Sequence, residues 1–237
     1  MERIDKIIAL NCGISRKQAI KLIKDGRVLV NGQTVTDKDL KIDIENTDIS
    51  VDGEPIAVKK HIYIMLNKPK AVVSASEGRG EKTVVDLVPP ALFRQGLFPA
   101  GRLDKDTTGF VLITDDGDFA HRILSPKNHI YKTYHARLSS PLSEESIERL
   151  KEGITLLDGT SLKGASVKIL EDSEAPLAEI SICEGKYHQV KRMFAASGSR
   201  VTELKRVKMG NLPLDFDLPE GECREITPEE LLKITEK

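Results

Sequence analysis

The sequence predicts an α+β fold, with a small amino-terminal module followed by a larger unit on a mixed, mostly antiparallel sheet. Three observations lead there. Strand-like and helix-like segments interleave irregularly, without the regular strand–helix alternation of a doubly wound fold. Several connections are of hairpin length, above all Asn31-Gly32, which joins Val28-Leu29-Val30 to Gln33-Thr34-Val35. Period-two runs recur far along the chain, at 132–138 and through Ala178, Ile180 and Ile182.

Each element has a local cause. Residues 2–10 read as a short helix with Ile4, Ile7 and Ile8 on one side, ended by Asn11-Cys12-Gly13. Ser15 is a helix N-cap, and the helix 16–25 turns Ala19, Leu22 and Ile23 inward. Lys17, Lys21 and Lys24 then form a basic stripe on another face, and Gly26 stops the helix. Asn31-Gly32 has the composition of a type I′ turn. Residues 52–60 read as a linker between a first domain, 1–51, and a second, 61–237. Ile62-Tyr63-Ile64-Met65-Leu66 opens the second domain and runs into Asn67-Lys68-Pro69-Lys70. Residues 74–83 form a polar loop, and a strand is expected at 110–114. Asp115-Asp116-Gly117 turns into a helix through Phe119, Ile123 and Leu124. Ser143 caps a helix stopped by Gly153, and Glu184-Gly185-Lys186 turns into a helix at 187–196. A strand follows at 201–208, and Thr227-Pro228-Glu229-Glu230 is a capping box with Pro at its first helical position.

Composition narrows the class. Of 237 residues, 39% are hydrophobic and 31% charged, which fits a soluble globular protein. No apolar run approaches the roughly 20 residues of a membrane helix. Met1-Glu2-Arg3 is charged and no apolar signal core follows, so a cytoplasmic protein is expected. Cys12, Cys183 and Cys223 lie too far apart for a zinc or disulfide framework. The net charge is −1, yet the charge is segregated. Residues 1–30 carry seven Lys or Arg against three acids, 120–137 four bases and no acid, and 186–210 seven bases against Glu203. Such segregation predicts a basic face and a nucleic-acid partner.

The chemistry-bearing stretch is Gly101-Arg102-Leu103-Asp104-Lys105-Asp106-Thr107-Thr108-Gly109. It sets a carboxylate and an arginine on a short loop between two glycines, feeding the apolar run 110–113. It resembles the GRLDxDTxG motif of pseudouridine synthases of the RsuA/RluB/RluE/RluF family. Glu184-Gly185-Lys186-Tyr187-His188-Gln189-Val190-Lys191-Arg192-Met193-Phe194 resembles a further motif of that family. Arg3-Ile4-Asp5-Lys6, Ser15-Arg16, Gly26-Arg27-Val28 and Val30-Asn31-Gly32 resemble an S4 RNA-binding domain. The wording is most like that of the RsuA type, which modifies small-subunit ribosomal RNA.

The resemblance implies a reaction and its residues. The bond from C1′ to N1 of a uridine breaks, and C1′ joins C5 instead, with no metal, redox cofactor or nucleotide required. Asp104 takes the place of the catalytic carboxylate, which attacks the ribose carbon or the base or assists proton removal. Lys191 takes the place of its basic partner, where other members often carry Arg; Arg192 is the fallback. A dry pocket would otherwise protonate the acid. Tyr134, in Lys132-Thr133-Tyr134, takes the place of an aromatic that stacks on the flipped-out base. Arg102 replaces that base in the stack or holds a phosphate, and Leu204 lines the pocket. Arg3, Arg16, Lys17 and Lys21 are expected on folded ribosomal RNA, as free RNA or an assembly intermediate, with the protein a monomer. Asp106 is expected to brace the loop. Ala71 stands where the family usually has Gly after the Lys-Pro pair, a departure expected to shift the backbone slightly. His121, His129, His135 and His188 show no triad or ligand spacing. Two alternatives remain: the same reaction on large-subunit ribosomal RNA, or a non-catalytic RNA-binding assembly factor.

Overall fold

The computed structural model describes every residue except Glu45, Asn46, Ala57 and Lys237, so Ala57 of the expected linker lies outside the described residues. The chain divides into two compact units. One is Met1–Ile62 with Pro90–Leu97; the other is Tyr63–Pro89 with Phe98–Lys237.

The first unit runs β1 (Glu2–Arg3), α1 (Ile4–Asn11), α2 (Arg16–Lys24), β2 (Val28–Val30), β3 (Gln33–Thr34), β4 (Lys41–Ile42), β5 (Ile49–Val51) and β6 (Glu54–Pro55). Residues 2 and 3 are therefore strand and not helix: they pair antiparallel with β4 and so escape the first helical turn. Four strands form a sheet in the order β3-β2-β5-β6, which draws Glu54 and Pro55 of the expected linker into this unit. Asn31 and Gly32 both have positive φ, 48° and 77°, as a type I′ turn requires. Ser15 caps α2 in a reciprocal box with Gln18. Ile4, Ile7 and Ile8 of α1 pack with Ala19, Ile23 and Val28 into a closed core. Arg94, from the 90–97 segment, bonds the Asn11 side chain and the Lys59 carbonyl of the same unit.

The second unit runs β7 (Tyr63–Lys68), β8 (Phe98–Pro99), β9 (Thr108–Thr114), α3 (Gly117–Leu124), β10 (Lys132–Leu138), α4 (Glu144–Glu152), β11 (Gly153–Thr155), β12 (Ser161–Lys163), β13 (Ser166–Glu171), β14 (Leu177–Ile182), α5 (Gln189–Ala196), β15 (Val201–Met209), β16 (Leu212–Pro213), β17 (Cys223–Glu225) and α6 (Pro228–Thr235). Its main sheet has the order β13-β14-β10-β15-β9-β7-β17, with β8 on β9 and β16 on β15. The β9–β15 pair is parallel, and the others are antiparallel, so the mixed, mostly antiparallel sheet is as expected. Every residue of β9 is buried, which explains its unbroken apolar centre. Gly109 stands opposite Arg206 in the parallel pair with φ +96°, and a Cβ there would come within 2.3 Å of the Arg206 carbonyl oxygen. The second glycine of the 101–109 stretch is thus demanded by the close approach of two strands. Among the described residues, no helix is long and apolar enough to cross a membrane.

Candidate active site

The 101–107 loop leaves β8 and enters β9, and buried groups behind it fix its course. The Ser74 hydroxyl lies 3.0 Å from both the backbone N and the backbone O of Leu103. Lys68, wholly buried at the end of β7, donates to the carbonyl oxygens of Pro69, Lys105 and Thr107 at 3.0, 3.2 and 2.8 Å. Burial pushes the Lys68 ammonium down to about 8, although the Asp106 and Asp104 charges work the other way. A single buried cation therefore ties three loop carbonyls. Ala71, just beyond, has φ +67°. That is a left-handed value, which glycine adopts freely and alanine at a cost.

A second wall comes from the start of α5. Gln189 is buried; its amide oxygen accepts from Lys186 N at 2.9 Å, and its amide nitrogen donates to Glu184 at 2.9 Å. Glu184 also accepts from Lys163 N at 2.9 Å. This network closes the 184–189 turn, and His188 sits in it with φ +48°. The turn aims two side chains of α5 and its cap at the loop. Lys191 Nζ lies 3.4 Å from Asp104 Oδ2, and His188 Nε2 lies 3.5 Å from Asp104 Oδ1. Lys191 bonds Asp106 more closely, at 2.6 and 2.8 Å. Those bonds hold the Asp106 carboxyl below the usual carboxylate range. One lysine thus bridges the two acids of the loop.

The sheet supplies the floor. Tyr134 on β10 pairs in register with Ile180 of β14 and Arg206 of β15, and Ala136 pairs with Leu204. Tyr134 and Leu204 face a cavity of about 80 Å³ that Arg102, Asp104 and Lys191 also line. Five residues singled out from the sequence, drawn from four separate segments, therefore meet at one cavity. The cavity offers a carboxylate, a cation beside it, an aromatic face and an apolar wall. That set can hold a flat base against a charged group. Arg102 is exposed at its mouth.

Other residues go elsewhere. Arg192 turns away to an ion pair with Asp158 and does not line the cavity. Arg3 and Arg16 both grip Asp5, which is fully buried. Burial alone would raise the Asp5 carboxyl, but the two guanidinium groups outweigh it and hold it near about 2. Lys17, Lys21 and Lys24 remain exposed along α2. Of the four bases in the 120–137 stretch, Arg122 and Lys127 are exposed and the other two are committed elsewhere. Lys132 is buried with its ammonium on the carbonyls of Ile123 and Ile130, and Arg137 pairs with Glu171. Strand alternation turns Lys132 inward, which a linear charge count cannot register. His188 is the residue that spacing arguments passed over. Its position one residue before Gln189, at the start of a helix that carries Lys191, was the available signal.

Comparison with known proteins agrees with this geometry. Residues 62–196 match the RNA pseudouridylate synthase family, and residues 2–49 match the S4 domain. The chain is 44% identical to an uncharacterized RNA pseudouridine synthase, YtzG, of Bacillus subtilis (strain 168), over 99% of this chain and 98% of that protein. It is 41% identical to ribosomal small subunit pseudouridine synthase A of Escherichia coli (strain K12), over 98% of this chain and 99% of that protein. A crystal structure of a pseudouridylate synthase superposes with a TM-score of 0.67 at 40% identity, covering 99% of this chain and all of that one. The cavity lined by Asp104, Tyr134 and Lys191 lies in the matched segment, and on the strength of that match the chain belongs to the RNA pseudouridylate synthase family, with an amino-terminal S4 domain.

Proposed function

We propose that this protein converts one uridine of small-subunit ribosomal RNA to pseudouridine. The observation that carries the reading is the meeting of Asp104, Lys191, Tyr134, Arg102 and Leu204 at one cavity. The 41% identity to a small-subunit enzyme over nearly the whole chain supports the choice of RNA. In this reading residues 1–51 grip folded RNA through Lys17 and Lys21, residues 52–60 join, and residues 61–237 react. The target base leaves the stack and lies on Tyr134, with Leu204 on its apolar side. Asp104, with Lys191 and His188 beside it, serves the ribose or the base as the C1′–N1 bond breaks and the C1′–C5 bond forms. The C5 proton is lost and N1 gains one, so the product is an isomer of the substrate. Arg102 at the mouth fills the space that the base leaves in the stack or takes a phosphate. The five residues come from one copy of the chain, which supports action as a monomer, and a ribosomal substrate, free or partly assembled, supports a cytoplasmic setting.

The test uses small-subunit ribosomal RNA made without modification, free and in partly assembled particles. Wild-type protein and Asp104→Asn are compared by carbodiimide-dependent primer extension. One new stop, present with the wild type alone, is expected. Absence of any stop on small-subunit forms, with one appearing on large-subunit RNA, would overturn the choice of substrate. Silence on both would leave only RNA binding.

A further inference from the structure

Tyr187 has no role in the reaction as described, yet its setting is unusual. Glu184, Gln189 and Val190 at the ends of the 184–190 turn are buried, whereas Tyr187, on its exposed crest with Gly185 and Lys186, is 75% exposed. The ring is not loose. It stacks on the His188 imidazole with centroids 3.8 Å apart and planes at 20°. His188 is itself fixed, by its left-handed backbone and by its contact with Asp104. One face of the tyrosine is thus backed by a held ring, and the other is bare. Leaving an aromatic face of this size in water forgoes burial that a core position would have supplied.

Tyr187 borders a groove of about 500 Å³, closed on its far side by Val73, Ser74 and Ala75. Arg102, Asp104 and His188 line both this groove and the reaction cavity. A chain with its reacting residue at Asp104 therefore has the next residue at the groove. The rim carries Lys105, Lys186 and Arg102. Lys105 is paired with Glu81, and Lys186 with the Ser161 carbonyl. Arg102 makes no hydrogen bond or ion pair among the described residues and is exposed. A backed aromatic face beside an uncommitted guanidinium is a pair of contacts that suits one nucleotide: a base on the ring and a phosphate on the cation.

We infer that this groove holds the nucleotide adjoining the target uridine, its base laid on the free face of Tyr187 and its phosphate against Arg102. The inference rests on the reading of the site as an RNA-modifying one. Tyr187 is then a residue that fixes the register of the strand and adds preference for a stackable neighbour. Because every base has an aromatic face, the preference is for the presence of a base over its absence, and for purines over pyrimidines.

The probe is a uridine heptamer carrying one 2-aminopurine on either the 5′ or the 3′ side of the central uridine. It is titrated with wild type, Tyr187→Phe and Tyr187→Ala. One of the two probes is expected to lose fluorescence on wild type and on Tyr187→Phe, and not on Tyr187→Ala. Affinity for that probe is expected to fall about 5- to 100-fold in Tyr187→Ala, the range of one base–aromatic stack. An abasic residue at the same position lowers wild-type affinity by a similar factor and leaves Tyr187→Ala unchanged. Equal quenching with Tyr187→Ala, no quenching with either probe on wild type, or additive losses from the abasic residue and Tyr187→Ala would overturn the platform. Wild-type turnover on unmodified ribosomal RNA is measured beside it. Quenching without turnover would count against the reaction and keep the platform, whereas turnover with equal quenching would do the reverse.

Discussion

Asp5 and Asp104 are both acids with two basic side chains beside them, and they are held in opposite ways. Asp5 is fully buried, and Arg3 and Arg16 each donate to both of its oxygens, at 2.8 to 3.3 Å. Its lone pairs are spent. Asp104 keeps 30% of its side chain exposed, and its partners stand off at 3.4 and 3.5 Å, beyond a hydrogen bond. Lys191 gives its closest bonds to Asp106 instead. A saturated carboxylate holds a fold together. A carboxylate with a cation near it but no hydrogen bond to it keeps its oxygens open to a substrate.

The sharpest way to break the comparison is to remove each charge in turn. Asp104→Asn is expected to lower turnover by at least about 10³-fold while RNA affinity and thermal midpoint hold. A fall in midpoint alongside activity would show Asp104 to be structural. Next comes its partner: Lys191→Ala is expected to lower turnover by roughly 10²-fold, and Lys191→Arg to restore most of it, because charge near Asp104 and Asp106 is what counts. Steady-state turnover of both variants checks this.

Asp5→Asn should leave the chemistry alone and loosen the first unit. Breaking a buried, doubly paired carboxylate is expected to remove about 3 kcal/mol there, read as faster amide exchange in α1 and α2 with the second unit's protection unchanged. The same group sets an acid limit. Its folded value near about 2 lies below the ordinary 3.8. Its contribution is therefore complete above the ordinary value and is lost as the pH falls towards 2. The loss is at most about 2 kcal/mol, visible in first-unit exchange between pH 5 and 2 and absent in Asp5→Asn. The smallest effect belongs to Ala71→Gly. Relief of a left-handed alanine, less the added freedom of the unfolded glycine, should stabilise the second unit by about 0.5–1 kcal/mol in urea unfolding.

Much of the fold could be read from local patterns because its signals are local. Caps at Ser15, Ser143 and Thr227 stand where their side-chain hydroxyls reach a free backbone N–H three residues on. The alternation of Lys132–Leu138 shows which residues share a face of β10. The members of the site were legible only as motif positions. Their meeting depends on strand pairings between distant segments, such as Tyr134 with Arg206. The double duty of Lys191 depends on where α5 begins, which the Glu184–Gln189 network sets and spacing does not express. The inward turn of Lys132 and Arg206 was likewise hidden, since a basic residue reads as surface until its strand is placed.

The parallel pairing of Thr108 with Lys205 and Gly109 with Arg206 also dictates when this enzyme comes into being. Nearly a hundred residues separate the two strands, so the loop bearing Asp104 emerges from a ribosome well before the strand that braces it. At ordinary rates of synthesis of about 5–20 residues per second, that interval lasts several seconds. Throughout it Asp104 has neither β15 beside it nor the full cavity above it. Truncated chains that stop short of residue 209 are therefore expected to lack a complete β15 beside the Asp104 loop and to show no turnover.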